Sequence, residues 1–317
     1  GLRYAILISH FLFLGYYLSL LFIYQSPLLI PLAMILCALG MSLFWPAFHI
    51  DFIRFSEKGY HGQQVGKMNI ALSIPAIISP IIGGAILGAT GYSVLFIVVL
   101  GVLLLSSFPL FLSKESHLIY SDSFQKAWWR MFRRENRKTS LAMAADGIEG
   151  MIVYYFWPLF MFALAINYTT MGGIATFSLF AATLFTLYMG RISDKIINRV
   201  EFLNIGSFLT SIVWIIKYFV ATSLDAFLAH TLYRICRTSA SIPFQTFVYN
   251  KAYSKEKEAD EFIIYREIVL NFSRFVFFLI LAGVFVLFPQ VNLAFIMAAV
   301  ISLGFMLMGI PPKLKLQ

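Results

Sequence analysis

Ten apolar runs, most about twenty residues or longer, follow one another along the 317-residue chain, and no other feature constrains the fold as much. They lie at about 4–24, 28–53, 67–88, 92–112, 140–166, 170–190, 202–221, 226–250, 262–288 and 291–311. About twenty helical residues cross the ~30 Å hydrocarbon core of a bilayer. Hydrophobic residues make up 60% of the chain and charged residues 12%, whereas a soluble domain carries roughly 25% charged residues. Inside lipid every backbone N–H and C=O must find a partner within the protein, which leaves helices or a closed barrel. A barrel would alternate in segments of ~10 residues. The sequence therefore predicts an all-α transmembrane chain.

The placement of charge orients these runs. The turns Gln25–Pro27, Gly88–Gly91, Asn167–Thr169, Ala221–Asp225 and Pro289–Gln290 hold no Lys or Arg. The segments on the other side hold twenty of the 24 cations. Positive residues mark the cytoplasmic side, so both ends of this sequence are expected there, in a cell (inner or plasma) membrane. The net charge of +9 then follows from topology, and a nucleic-acid partner is not needed to explain it. Cys37 and Cys236 lie inside apolar runs, and the five histidines show no ligand spacing, so no metal or disulfide framework is expected. No Walker loop and no nucleophile–base arrangement stands out, so neither ATP-driven work nor enzymatic catalysis is expected, and no cofactor is called for.

The longest basic segment, 113–139, places Ser121–Ser123 ahead of Phe124, Trp128, Met131 and Phe132 on one helical face. Lys126, Arg130, Arg133, Arg134 and Arg137 crowd the rest. This pattern predicts an amphipathic helix lying at the lipid surface; a helix that binds a partner is the alternative.

The polar stretch Gly190–Arg199, GRISDKIINR, resembles the loop motif of the major facilitator superfamily, Gly-x-x-x-Asp-[Arg/Lys]-x-x-Gly-Arg-[Arg/Lys]. Gly190, Asp194, Lys195 and Arg199 match it; Asn198 stands where Gly is usual and Val200 where a second cation is usual. Ser79-Pro80-Ile81-Ile82-Gly83-Gly84 is similar to the Gly-Pro-x-x-Gly-Gly element of antiporters in that superfamily. On physical grounds Pro80 kinks the helix, while Gly83, Gly84 and Gly88 admit a neighbouring backbone. The Arg often found in the middle of the family's fourth span is missing from Leu32–Met41.

A weak internal repeat points the same way. Shifting the numbering by 197 lays Ser42 on Ser239, Pro46 on Pro243, Arg54 on Lys251, and Gly1 on Asn198. Repeats of this kind mark secondary transporters. The resemblance then implies a major facilitator fold of two pseudo-symmetric helical bundles, with ten membrane helices present. Residues 1–113 would supply four helices of a first bundle, 114–139 a cytoplasmic linker, and 140–317 a complete six-helix bundle. Two helices of the first bundle would precede Gly1.

Charges inside the apolar runs are costly and mark candidate sites. Lys217 is near the outer end of its run and is expected to snorkel. Arg234, Arg237 and Arg274 are deep, as are Asp146 and Glu149. From helix rise, Glu149 and Arg234 lie ~15 and ~17 Å from the cytoplasmic edge, and Asp146 and Arg237 ~10 and ~12 Å. Both sets are spaced i,i+3 and so share a face. Two ion pairs are expected, Glu149–Arg234 and Asp146–Arg237. Glu267, Asn271 and Arg274 form a stripe at i, i+4 and i+7, and Arg274 at ~18 Å would compete for Glu149. A carboxylate that exchanges counter-ions is a proton switch; a static ion-pair network is the other reading. The resemblance places these residues along the substrate and proton pathway. It assigns Asp194 a gate at the cytoplasmic side, against Gly66 and Lys67.

The function expected is secondary active transport of a small solute by alternating access, as a proton-coupled antiporter that exports it. A proton-coupled nutrient symporter, or a non-transporting sensor or scaffold, is the alternative. The expected partners are the solute, protons and membrane lipid, with the protein a monomer.

Overall fold

The computed structural model describes residues 1–55, 61–112, 115, 123–196, 198–253 and 259–309. Among them there is no strand. The first four helices are α1 (Leu2–Leu21), α2 (Leu29–Phe55), α3 (His61–Thr90) and α4 (Tyr92–Leu112). A short α5 (Phe124–Arg130) precedes α6 (Arg137–Met151), which continues through a π-turn (Ile152–Phe156) into α7 (Trp157–Ala163). Then come α8 (Tyr168–Ile196), α9 (Arg199–Tyr218), α10 (Ser223–Tyr253), α11 (Ala259–Leu287) and α12 (Leu293–Ser302), which ends in a 3₁₀ turn (Leu303–Gly309).

Among the described residues, seven helices are long and apolar enough to cross a membrane: α1, α2, α3, α4, α8, α9 and α11. The other three expected runs fall short of that standard for visible reasons. The rod α6–α7 is broken by its π-turn and carries Asp146 and Glu149; α10 carries His230, Arg234 and Arg237; Leu293–Gly309 is short. The π-turn itself follows from Pro158. Proline offers no N–H to the carbonyl four residues back and its ring crowds that carbonyl, so the preceding turn widens.

Close backbone contact ties α3 to α8. A Cβ on Gly84 would lie 2.6 Å from the Tyr168 carbonyl oxygen, and one on Gly172 2.3 Å from that of Pro80. Thr176 Oγ1 donates to the Ile77 carbonyl at 2.7 Å across the same seam. Gly83 points elsewhere: a Cβ there would meet only Leu95, at 4.0 Å. Of the expected packing residues Pro80, Gly83 and Gly84, then, Pro80 and Gly84 lie on this seam. At the end of the bundle that carries the basic segments, Leu2, Ile6, Ala47 and Ile50 pack with Ile263, joining α1 and α2 to α11.

The segment read as a lipid-surface helix is docked on protein. Ser123 caps α5 by accepting from the Lys126 N–H at 3.3 Å. Ala127 and Met131 are buried, and the Trp128 ring meets Phe272 of α11 edge-on at 5.0 Å. Ser140 Oγ donates to the Met131 carbonyl and is 2.6 Å from the Tyr265 hydroxyl, pinning this turn between α6 and α11. Trp129 and Phe132 remain exposed.

The Gly190–Arg199 stretch, expected as a loop, is largely helical. α8 runs on to Ile196, and Asn198 caps α9 by accepting from the Val200 N–H at 3.1 Å. Asn at the position where the family motif has Gly is thus a helix cap. Arg199 is exposed on the first turn of α9. The side chains of Gly66, Lys67, Asp194 and Lys195 lie outside the described residues, and so does the contact expected between them.

Candidate functional site

The candidate site forms where α6, α9 and α10 meet. The i,i+3 spacing turns Asp146 and Glu149 to one side of α6, and the same spacing turns Arg234 and Arg237 to one side of α10. Arg237 bridges both acids. Its Nε donates to Glu149 Oε2 at 3.0 Å and its Nη2 to Asp146 Oδ1. Asp146–Arg237 forms as the depths predict, whereas Glu149–Arg234 does not. Glu149 Oε1 is already taken by the Tyr233 hydroxyl and by the Trp214 indole N–H at 3.1 Å. Arg234 turns back instead and donates from Nε to His230 Nε2 at 3.3 Å. The two acids differ in access: the Glu149 side chain is 1% exposed and that of Asp146 23%.

α11 reaches the same turn of α6 because Gly147 has no side chain to hold it off. A Cβ there would be 3.0 Å from Leu270 Cδ2 and 3.2 Å from the Leu270 carbonyl oxygen. Arg274 Nε donates to the Gly147 carbonyl at 3.2 Å, and Asn271 Nδ2 to the Glu267 carbonyl at 2.9 Å. Glu267 Oε1 accepts from Arg266 Nη1 at 2.6 Å. Arg274, expected to compete for Glu149, thus holds backbone between the two acids. A groove of about 440 Å³ opens beside this stripe, with Ser42 and Pro46 of α2 on one side and Glu267 and Asn271 on the other.

Lys217 departs furthest from expectation. It does not snorkel; it is wholly buried. Its Nζ sits 4.1 Å from the Trp157 ring centroid, 4.2 Å from Trp214 and 3.8 Å from Tyr233. It also lies 3.2 Å from His230 Nδ1. The signal was in the sequence. Leu203, Thr210, Trp214 and Lys217 repeat at helical spacing and form the buried stripe of α9. On α10, His230, Tyr233, Arg234 and Arg237 repeat at i, i+3, i+4 and i+7, so His230 lies on the face of the arginines. Of the aromatic run after Glu149, Phe156 and Trp157 are buried and Tyr154 and Tyr155 are exposed. Among the described residues, no group of three His, Cys, Asp or Glu side chains gathers to hold a metal ion.

Comparison with known proteins bears on both sequence and fold. Residues 1–141 match the family model for the Major Facilitator Superfamily. No curated protein matches the sequence. Among solved structures, the chain is similar to a Major Facilitator Superfamily transporter, FucP, in the outward conformation, with a TM-score of 0.61 at 12% identity. That match covers 98% of this chain and 82% of the other. It is also similar to a single-substitution form of the E. coli fucose:proton symporter FucP, with a TM-score of 0.64 at 12% identity, covering 97% and 83%.

Proposed function

Residues 1–141 match the Major Facilitator Superfamily model and nearly the whole chain shares the fold of a solved transporter of that superfamily, and from this we propose that the chain is a member of it and a proton-coupled secondary transporter of a small solute. It is an integral, multi-pass membrane protein. In this reading residues 1–113 and 140–317 are two units joined by the linker 114–139, whose residues from Ser123 onward dock on α6 and α11. They rock about a midplane site, with the basic end of the bundle in the cytoplasm.

The observation that carries the proposal is the sharing of one guanidinium by two carboxylates inside the bundle. Two acids that share a single cation inside the bundle, one of them fully buried, hold one negative charge in excess, which costs free energy in a low dielectric. A proton or a cationic group of the solute relieves that cost. Asp146 is the acid that meets it first, because Glu149 is enclosed by Trp214, Tyr233 and Arg237. Glu267, Asn271 and Arg274 line the approach from α11 and set which solute groups fit. The Gly190–Arg199 segment, with Asp194 and Lys195, acts as the gate at the basic end.

The Pro80–Gly84 element does not by itself argue for export, since its packing on α8 accounts for it. The structural neighbour described as a fucose:proton symporter favours symport as the second reading. Proteoliposomes loaded with a pH-sensitive dye and challenged with a panel of sugars, amino acids and amphipathic cations separate the two. Solute added outside with its own gradient inward should move protons inward for a symporter and outward for an antiporter, and Asp146→Asn should abolish either flux. Proton flux that no solute evokes, or an Asp146→Asn protein with unchanged flux, would overturn the proposal.

A further inference from the structure

The aromatic box around Lys217 is not needed for the reading given above, and its hydrogen bonds fix more than its shape. The His230 ring is stacked on Trp157 at 5.4 Å and 12°, and on Tyr233 at 5.7 Å and 16°. Stacking fixes the plane of the ring, and within that plane Nε2 faces Arg234 and Nδ1 faces Lys217. An arginine Nε always carries a hydrogen, so His230 Nε2 must be the bare, accepting nitrogen. A neutral imidazole then carries its hydrogen on Nδ1, and that hydrogen points at Lys217 Nζ. An ammonium has no lone pair to receive it, while an amine does. With the Arg234–His230 bond made, Lys217 is an amine.

The converse arrangement is equally constrained. A Lys217 ammonium needs Nδ1 as acceptor, which moves the imidazole hydrogen to Nε2. Nε2–H and Arg234 Nε–H then face each other as two donors, and Arg234 must leave. The fold provides for this state too, since three ring faces within 4.2 Å suit a cation. Glu149 lies just beyond, bonded to the polar atoms of two of those rings.

We propose that Lys217 and His230 form a second proton-binding site, separate from the acid pair of α6, and that taking up a proton there releases Arg234 toward those acids. The proton enters at His230 Nε2 as Arg234 departs, and the Nδ1 hydrogen passes to Lys217 Nζ. One proton is gained, one ammonium is formed, and the imidazole stays neutral. The charged and titratable groups around the site are Arg234, Arg237 and Tyr233 on α10 and Asp146 and Glu149 on α6. Trp157 of α7 and Phe295 of α12 contribute none. Released Arg234 is the second cation that the acid pair lacks, so the Glu149–Arg234 pairing suggested by matched depth belongs to the protonated state.

This inference rests on the proton-coupled reading, and its test is separable from it. ¹⁵N-lysine NMR of the purified protein in micelles, titrated from about pH 5 to pH 11, should show one lysine Nζ converting between amine and ammonium with a one-proton slope. That signal should vanish in Lys217→Met. Should that variant fail to fold, Lys217→Arg assigns the signal equally well. A Lys217 that stays ammonium, or stays amine, throughout the range overturns the site. If Lys217 titrates but solute-evoked proton flux in liposomes is unchanged by its substitution, the coupling role fails while the transport reading stands. If no solute evokes flux in the wild type, the transport reading fails while the titration still reports on the site.

Discussion

Replacing Glu149 tests whether the buried carboxylate organises its surroundings as the geometry indicates. Three donors converge on it: Trp214 Nε1, the Tyr233 hydroxyl and Arg237 Nε. Glu149→Gln keeps the shape and one accepting oxygen, and Arg237 keeps Asp146. What is lost is a charge-assisted bond, about 2 kcal/mol. Glu149→Ala leaves all three donors facing a void, and the cost should rise to about 4 kcal/mol. Asp146→Asn removes the partly exposed acid, where water substitutes, and should cost under ~1 kcal/mol.

For a chain of this size each kcal/mol moves the melting temperature by roughly 2 °C. Thermal unfolding of the purified protein in micelles should then fall by about 4 °C for Glu149→Gln, about 8 °C for Glu149→Ala and under ~2 °C for Asp146→Asn. The ordering carries the test more than the values do. Asp146→Asn as harmful as Glu149→Gln would mean that burial does not rank these acids, and Glu149→Ala no worse than Glu149→Gln would mean that the three donors do not depend on it. A Tyr233→Phe change should cost about 1 kcal/mol more in the wild type than in Glu149→Ala, since the hydroxyl's acceptor is already gone there.

Other expectations are briefer. Gly172→Ala places a Cβ against the Pro80 backbone, so helices rather than side chains must shift; the protein should lose about 2 kcal/mol or more, seen as a lower melting temperature. Asn198→Ala should cost about 1 kcal/mol through the lost cap of α9, and Asn198→Gly only a few tenths, as measured by the same melts. The carboxyl of Asp225, outside the apolar run of α10, is held below the usual carboxylate range first by the Thr222 hydroxyl and then by the Thr222 and Ala221 N–H groups that donate to it. A depressed carboxylate contributes stability above its unfolded value that is lost as pH falls through the folded one. The difference between wild type and Asp225→Asn should therefore be present at neutral pH and disappear in strong acid. Asp194→Asn should shift the protein toward its inward-open form, read as faster cysteine labelling in the cavity from the basic side; unchanged labelling would remove the gate from the proposal.

Residue spacing alone located the acid-bearing face of α6 and the cation-bearing face of α10, because i,i+3 spacing is a property of the helix itself. It could not say which arginine meets which acid. That choice was made by Tyr233 and by Trp214 on a third helix, whose hydroxyl and indole N–H occupy the oxygen that depth alone reserved for Arg234. Lys217 was misread for a related reason. Position near a run's end argues for snorkelling only if the side chain faces outward. Its phase relative to Leu203, Thr210 and Trp214 turns it inward, and phase is readable where depth misleads. The membrane charges therefore divide by the helix that supports them. The faces set by spacing within one helix were legible, and the partners chosen by competition across helices were not. The Arg234 side chain sits on that boundary. Its position on α10 places it one turn from Arg237, within reach of the acids, while His230 holds it away from them in this structure. A side chain that the sequence assigns to one partner and the fold to another has two competing acceptors, and protonation at Lys217 is the event that chooses between them.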